Sequence, residues 1–365
     1  MNRLDFDPAL RAAMIDPPIA TGDLPGIGGA IRQRPEDFVV DEIAAYEPDG
    51  REERHLLVRI EKRQIPSHEA VTLLCDRTGV DRGEAGMAGR KDADAVTRQW
   101  ISLPWSAHVR LQTFDDPRVR VLEFHPHGQK LRTGHLKANR FSVVLRDLEV
   151  DAAPERCRAK LDRLRAQGGL ENLYGPQRFG LDGTNLERGF GAIAAPRLDR
   201  RFTFAASAAQ SGVFNLYVFR RREGGGLGRV LPGDVLRKTE SGGMFATEDP
   251  SDDQIRLDAG ELQLTGPMPG AKTRRPPEGT PSAAFEHAIL AEVGLEYAEL
   301  ERHGKRLPGS RRPCTVSIDA LGLEITEEPA VAELREGIRL DFTLPAGSFA
   351  TQLLRELQNG PEDTV

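Results

Sequence analysis

The chain has 365 residues with 39% hydrophobic content, which allows two or three domains, or one domain with an insertion, around a packed core. Its formal net charge of −6 excludes a generally polybasic nucleic-acid-binding protein but permits a local cationic patch. No run approaches the roughly 18 apolar residues of a membrane span and no signal peptide begins the chain, so a cytoplasmic protein is expected.

The first regular elements are predicted from residue 35 onward. Pro35 favours a turn, and the aromatic and β-branched residues that follow begin a strand at Phe38. Residues 55–60 predict a second strand. Taken alone, Phe38 is best interpreted as a core residue, because most aromatic side chains in strands are buried. A helix is then predicted from Ser67, a favoured N-cap, to Gly79.

Residues 86–100 predict a tight loop that leads into a strand. Gly86 and Gly89 loosen the backbone just before Lys91 and Asp92. Asp92 has two interpretations at this point: a turn residue whose carboxylate bonds nearby backbone groups, or an active-site group beside a cation. Composition alone favours the turn residue.

Two further strands are predicted at residues 109–111 and 119–122. Three histidines follow, at positions 125, 127 and 135. They are interpreted as loop or phosphate-facing histidines, and no metal site is predicted.

A local excess of positive charge occurs in residues 128–146, which contain five Lys and Arg residues and no acid. Asn139 offers an amide that can read the edge of a base, and Phe141 offers a ring that can pack against a base. A solvated loop followed by an edge strand at residues 141–145 explains the same pattern equally well.

The second half of the chain predicts mainly helices joined by ordered loops. Phe349 follows a strand and precedes a helix, so it is either a core contact or an exposed group at the helix start. The predicted elements are helices at residues 154–167, 207–222, 282–302 and 352–358, an ordered loop at 171–186, charged proline-rich turns at 246–283 and a strand at 338–344.

Five segments resemble motifs of the TruD-type tRNA pseudouridine synthases. They are residues 34–40, 88–92 with 95–100, 136–141, 172–180 and 344–350. One such segment would be weak evidence, whereas five in the same order, spanning about residues 26–358, are specific. The resemblance therefore covers nearly the whole chain.

The resemblance implies an α+β fold. A pseudouridine-synthase catalytic domain on antiparallel sheet, residues 1–171 and 323–365, would be interrupted by an inserted TruD-specific α/β domain at residues 172–322. It also implies an isomerase that converts a uridine of tRNA, at position 13 in the D arm, to pseudouridine. The enzyme would break the N-glycosidic bond and rejoin C1′ to C5 without metal or cofactor. The expected partner is tRNA with a flipped uridine, and the protein is expected to be a monomer with no membrane attachment and no obligatory protein partner.

The motifs also imply site residues. Asp92 falls on the catalytic aspartate of the family, as nucleophile or base. Whether it attacks the sugar, attacks the base or removes the C2′ proton stays open. Lys91 would help to keep its neighbour ionised. The substrate-binding positions fall on Phe38, Asn139, Phe349, Phe141 and Lys91.

Two departures from the family pattern stand beside this resemblance. Ala93 and Asp94 replace a basic residue and His after the catalytic aspartate, and residues 173–174 are Leu-Tyr where Tyr-Phe is common. Asp94 is interpreted as an ordinary loop residue. Two other functions fit the sequence less well: a magnesium-dependent phosphotransferase with an Asp-x-Asp site, disfavoured because no apolar strand precedes Asp92, and a non-catalytic tRNA-binding protein, disfavoured by the intact Asp92.

Overall fold

The structure is a computed structural model that describes residues 6–48, 50, 54–91, 93–331 and 333–359. Its helices are α1 (Pro8–Ile15), α2 (Ser67–Thr78), α3 (His108–Leu111), α4 (Ala153–Ala166), α5 (Thr184–Ala194), α6 (Thr203–Glu223), α7 (Pro250–Asp258), α8 (Pro281–Glu292), α9 (Tyr297–Glu301) and α10 (Ala350–Gln358). Its strands are β1 (Gly28–Ala30), β2 (Phe38–Ala44), β3 (His55–Arg63), β4 (Gly86–Met87), β5 (Val96–Pro104), β6 (Val119–His127), β7 (Leu136–Leu148), β8 (Leu170–Glu171), β9 (Val235–Lys238), β10 (Met244–Ala246), β11 (Leu262–Met268), β12 (Ser310–Pro313), β13 (Thr315–Val316), β14 (Glu324–Glu328) and β15 (Gly337–Pro345). The α+β class is confirmed.

The described chain forms two compact units, and the first of them is built on a large sheet. This unit comprises residues 27–157 and 319–350. Its strand order is β14-β15-β7-β2-β5-β3-β6, with β1 paired to β7 and β4 paired to β5. The pairs are antiparallel except for β2 with β5. Two segments remote in sequence, β7 and β15, therefore lie side by side along the length of β15.

A buried ion pair holds the start of β2. Pro35–Asp37 forms a single 3₁₀ turn, and Asp37 accepts hydrogen bonds from Nε and Nη2 of Arg146 at 3.0 and 3.1 Å. Both side chains are fully buried. Burial raises the pKa of Asp37, but the hydrogen bonds from Arg146 and Arg34 outweigh it and leave the pKa below its usual value. Asp37 of the 34–40 segment is thus a structural residue that fixes where β2 begins.

Helix α2 covers part of one face of this sheet. Its residues Ala70, Val71 and Leu74 pack in one cluster with Val58, Ile60 and Ile101 of the strands beneath. The helix ends at Gly79, whose φ of 73° is the left-handed conformation that glycine adopts at little cost. The predicted end is confirmed. The predicted N-cap is wrong, because Pro66 occupies that position and Ser67 is the first helical residue.

The second unit comprises residues 6–26, 158–318 and 351–359 among those described. Helix α6 is buried nearly all round, as a helix in the centre of a core must be. A four-stranded antiparallel sheet, β10-β9-β11-β12, lies in this unit. Helix α5 approaches α6 so closely that a Cβ on Gly189 would lie 2.0 Å from the Ala205 carbonyl oxygen. The domain limits predicted at residues 172 and 322 stay a prediction.

Three predicted elements differ from the structure. Residues 109–111 are helical, and their side chains do not alternate as in a strand, since Val109 is 71% exposed and Leu111 is buried. The helix predicted at 282–302 is interrupted near Gly294, which has φ 68°. The region 246–283 contains α7 and β11, because Pro250 stands in the first turn of a helix capped by Asp249.

Within the described residues no helix is long and apolar enough to cross a membrane.

A buried carboxyl group, that of Glu171, makes the stability of the second unit depend on pH. Its side chain is buried at 3% exposure, and Oε1 accepts a hydrogen bond from Arg222 at 2.9 Å. Oε2 is also buried, with no hydrogen-bond partner among the described residues. Burial raises the pKa of Glu171 from 4.5 to about 7, against the opposing charge of Arg222. The folded state therefore holds a proton that the unfolded chain releases between these pH values.

We expect the free energy of unfolding to fall as pH rises from about 4.5 to about 7, by up to about 3 kcal/mol from this group. Glu171→Gln should flatten that slope, because an amide does not titrate. Urea unfolding at pH 5 and pH 8 measures the effect. Glu240→Gln, at an exposed acid of the same unit, is the control. An unchanged slope in Glu171→Gln would contradict the assignment.

Candidate active site

One face of the large sheet collects the predicted substrate-binding residues of β2 and β7. Side chains alternate along strands, and the register pairs Val40 with Phe141 and Glu42 with Asn139. Phe38 therefore lies on the same side as these four residues. We call this side the site face. By the parallel pairing of Val40 with Thr97, it also includes Thr97 and Gln99 of β5.

Aromatic rings form the floor at one end of the site face. Phe38 and Phe141 meet edge to face with ring centroids 6.3 Å apart. Phe141 also stacks on Phe342 of β15, with centroids 5.2 Å apart. The Arg32 guanidinium carbon lies 4.3 Å from the centre of the Phe38 ring, a cation–π contact. Phe38 and Phe141 are 2% and 7% exposed, so their rings support the site from below.

Asn139 has a hydrogen-bond acceptor that no described residue uses. Its backbone lies between Glu42 of β2 and Leu344 of β15. Its Oδ1 is buried and has no hydrogen-bond partner among the described residues. Buried polar atoms are rarely left unpaired. Thr97 Oγ1 and Gln99 Nε2, on the same face, share this property, so the site face carries donors and acceptors that no described residue satisfies.

Lys91 is held by contacts at both its side chain and its backbone. Its Nζ donates a 2.6 Å hydrogen bond to Oε2 of Glu42, and the two side chains are 7% and 1% exposed. Its backbone N–H donates to Ser67 Oγ at 2.8 Å. Ser67 in turn donates to Gln99 Oε1 at 2.7 Å. Glu42 therefore neutralises the Lys91 ammonium, which was expected from the sequence to act on Asp92. The contacts of Lys91 fix the position of this residue in its loop.

Asp92, the predicted catalytic residue, lies outside the described residues. Its neighbours in the chain are Lys91, just described, and Ala93, which is half-buried. Asp94 is exposed and makes no ion pair with the described residues. The structure thus describes the approach to Asp92 from the Lys91 side, where the loop is attached to Glu42 and to α2.

Phe349 lies in the segment that follows β15. The strand ends at Pro345, the Ala346 backbone N–H donates to the Lys137 carbonyl at 3.1 Å, and the Phe349 side chain is 40% exposed. Of its two interpretations, an exposed group agrees with this exposure better than a core contact. Its neighbour Ser348 has a buried Oγ that bonds to no described atom.

Comparison with known proteins identifies one family over nearly the whole chain. A family model described as tRNA pseudouridine synthase D (TruD) matches residues 17–189 and 191–357. The chain belongs to the TruD family. The tRNA pseudouridine synthase D of Anaeromyxobacter dehalogenans strain 2CP-C is 39% identical over 94% of this chain and 97% of its own. That of a Thermus thermophilus strain is 41% identical, over 93% and 91% respectively.

A crystal structure described as a TruD from Methanosarcina mazei shares the fold. Its TM-score is 0.76, at 21% identity, over 99% of this chain and all of that one. The TruD-type segments at 34–40, 136–141 and 344–350 lie on adjacent strands β2, β7 and β15 or their ends. Segments far apart in sequence are thereby joined in one sheet.

Sequence reasoning missed four residues that build the site: Arg32, Glu42, Ser67 and Gln99. One signal for Glu42 was present, since it shares the strand phase of Phe38 and Val40, where a charged residue is out of place unless it is paired. Arg32 has a positive φ of 57°, which is uncommon outside glycine. No local pattern marks Ser67 or Gln99 as site residues, because their partners are remote in sequence.

Proposed function

We propose that this protein converts a uridine of tRNA, at position 13 in the D arm, to pseudouridine, with Asp92 as the catalytic carboxylate. The reaction breaks the bond between C1′ and uracil N1, turns the base and rejoins it through C5. It is an isomerisation, so no redox change is involved. The proposal rests on membership of the TruD family and on the chemistry of the site face.

The observation that supports this function best is the Oδ1 of Asn139, which accepts no hydrogen bond from any described residue. Uracil presents an N3–H donor between two carbonyl acceptors, and a carboxamide can bond a donor and an acceptor on that edge together. A target base in folded tRNA must be flipped out and then held by stacking and edge hydrogen bonds. Asn139 supplies the edge contact, Phe349 an exposed ring, and Phe38 with Phe141 the rigid support.

Lys91 and Glu42 would act by positioning. Their buried ion pair and the Ser67 hydrogen bond attach the residue before Asp92 to two strands and a helix. A carboxylate carried by an anchored loop loses little freedom in reaching its reactive geometry. In each of the three open routes, namely attack on the sugar, attack on the base or removal of the C2′ proton, one ionised carboxylate performs the step.

The proposal extends to organisation and partners. We assign the inserted TruD-specific domain to residues 172–322 and the catalytic domain to the flanking segments. The substrate is tRNA, and the enzyme is expected to work in the cytoplasm as a monomer without cofactor or obligatory protein partner. Carbodiimide labelling followed by primer extension on an incubated tRNA transcript tests the activity and maps the target. Absence of any new stop on every tRNA tested would refute the proposed function.

Replacing Asn139 tests the base contact. Asn139→Leu is expected to lower kcat/KM by roughly 10- to 100-fold, because the uracil edge loses its partner. It should not lower the free energy of unfolding, since Oδ1 accepts no hydrogen bond from the described residues. Kinetics on a tRNA transcript and urea unfolding measure the two effects. Gln129→Leu, at an exposed amide of the same unit, is the control; equal kinetics in both variants would remove Asn139 from the site.

A further inference from the structure

Two exposed aromatic side chains, two residues apart in sequence, stand at the start of α6 in the second unit. The side chain of Phe204 is 60% exposed and that of Phe202 is 37% exposed. Large aromatic side chains are usually buried, and an exposed group of them marks an interaction surface. Both rings belong to the second unit, whereas the site face belongs to the first.

Arg178 holds the Phe204 ring in a defined orientation. Its guanidinium carbon lies 5.1 Å from the ring centre. Nε of Arg178 donates to Ser211 Oγ at 3.1 Å, and Nη2 donates to Ser207 Oγ. Both serines lie one to two turns further along α6. The guanidinium is thus fixed on the same helix that carries the ring, and the 60% exposure leaves ring surface open to solvent.

Arginines directly precede these rings in the sequence. Residues 197–201 contain three arginines and one acid. Arg201 pairs with that acid, Asp199, at 2.9 Å. Arg197 and Arg200 are exposed, and neither forms an ion pair with any other described residue. We call Phe202, Phe204, Arg178, Arg197 and Arg200 the aromatic–arginine platform.

We propose that the aromatic–arginine platform stacks an unpaired nucleobase of the tRNA substrate, at a site separate from that of the flipped uridine. Arg197 and Arg200 would bind the phosphates that flank this base. The inference rests on the proposed function. Exposed rings that stack bases beside arginines that bind phosphates are the usual means of holding unpaired nucleotides. A second copy of the chain fits less well, because a two-fold interface would place these arginines against each other.

Binding of fluorescently labelled tRNA transcript to the full-length protein tests the platform. Phe204→Leu keeps an apolar side chain but removes the π face, and should raise Kd by roughly five- to 150-fold. Phe204→Trp should bind at least as well as the unchanged protein. Arg197→Gln with Arg200→Gln should reduce the slope of log Kd against log salt by about 2. Ile255→Ala, at an exposed apolar residue of the same unit that is 69% exposed, should change nothing.

The outcomes separate the platform from the catalytic proposal. Pseudouridine formation with equal Kd for Phe204→Leu and the unchanged protein would overturn the platform and leave the function standing. Tight tRNA binding that depends on Phe204, without pseudouridine, would do the reverse. A dimer that Phe204→Leu converts to monomer would assign the surface to self-association, and failure of the unchanged protein to bind tRNA would overturn both proposals.

Discussion

Asp92→Ala is expected to leave no detectable pseudouridine in a tRNA transcript. In the proposed mechanism one carboxylate performs the covalent or proton-transfer step, and loss of such a group costs at least about 10²- to 10⁴-fold in rate. Asp92→Asn should behave in the same way, because it keeps the shape and removes the charge. Carbodiimide primer extension over a time course of single turnover measures the rate.

Asp94→Ala is the matched control for Asp92. Asp94 lies two residues further along the same loop, is exposed and makes no ion pair with the described residues. Its loss should leave the rate within about twofold, as for an ordinary surface substitution. tRNA affinity and thermal stability should be nearly the same in both variants. Full modification by Asp92→Ala would end the assignment, and equal loss in both variants would point to loop damage instead.

Glu42→Gln is expected to reduce both stability and turnover. It would leave the Lys91 ammonium, 7% exposed, beside a neutral amide. Breaking a buried pair in this way costs about 3–5 kcal/mol. The loop before Asp92 also loses its anchor, and a shift of about 1 Å at a reacting group can cost roughly 100-fold in rate. Urea unfolding and kcat at saturating tRNA measure the two losses.

A double variant separates anchoring from simple instability. Glu42→Gln with Lys91→Met removes both charges, so stability should return most of the way while kcat stays low and KM for tRNA changes little. Glu123→Gln is the control, since Glu123 pairs with Arg59 at 3.1 Å but is 41% exposed, and such pairs contribute little. Recovery of kcat in the double variant would show that the ion pair matters only for folding.

Local patterns predicted most of the elements that form the site. The strand that begins at Phe38, the strand predicted at residues 338–344 and observed at Gly337–Pro345, and the helix that ends at Gly79 follow from side-chain alternation and from glycine in a left-handed turn. Local patterns failed where the signal was short or ambiguous. Three residues that resemble a strand, 109–111, proved helical, and Pro250, interpreted as part of a turn, begins a helix.

For the proposed site residues too, the sequence supplies one part of the information and the structure another. Asp92, Phe38, Asn139, Phe141 and Phe349 were found from the sequence because short motifs carry them. Their roles stay predictions. Exposure distinguishes among the described ones: Phe38 and Phe141 are buried supports, and Phe349 is the exposed ring. No motif contains that distinction, because exposure depends on which other strands cover a residue.

The sequence by itself determined the family and the identity of the proposed reactive and base-contacting residues, since these depend on residue type at short spacing. Only the tertiary structure decided how they are held. Glu42 and Lys91 are 49 residues apart, and Asp37 and Arg146 are 109 apart. Pairing of β2 with β7 and β5 brings such residues together, and a single-residue change of register would turn their side chains to the opposite face. The long-range register of one sheet therefore brings together the residues of the proposed site that the short motifs supply.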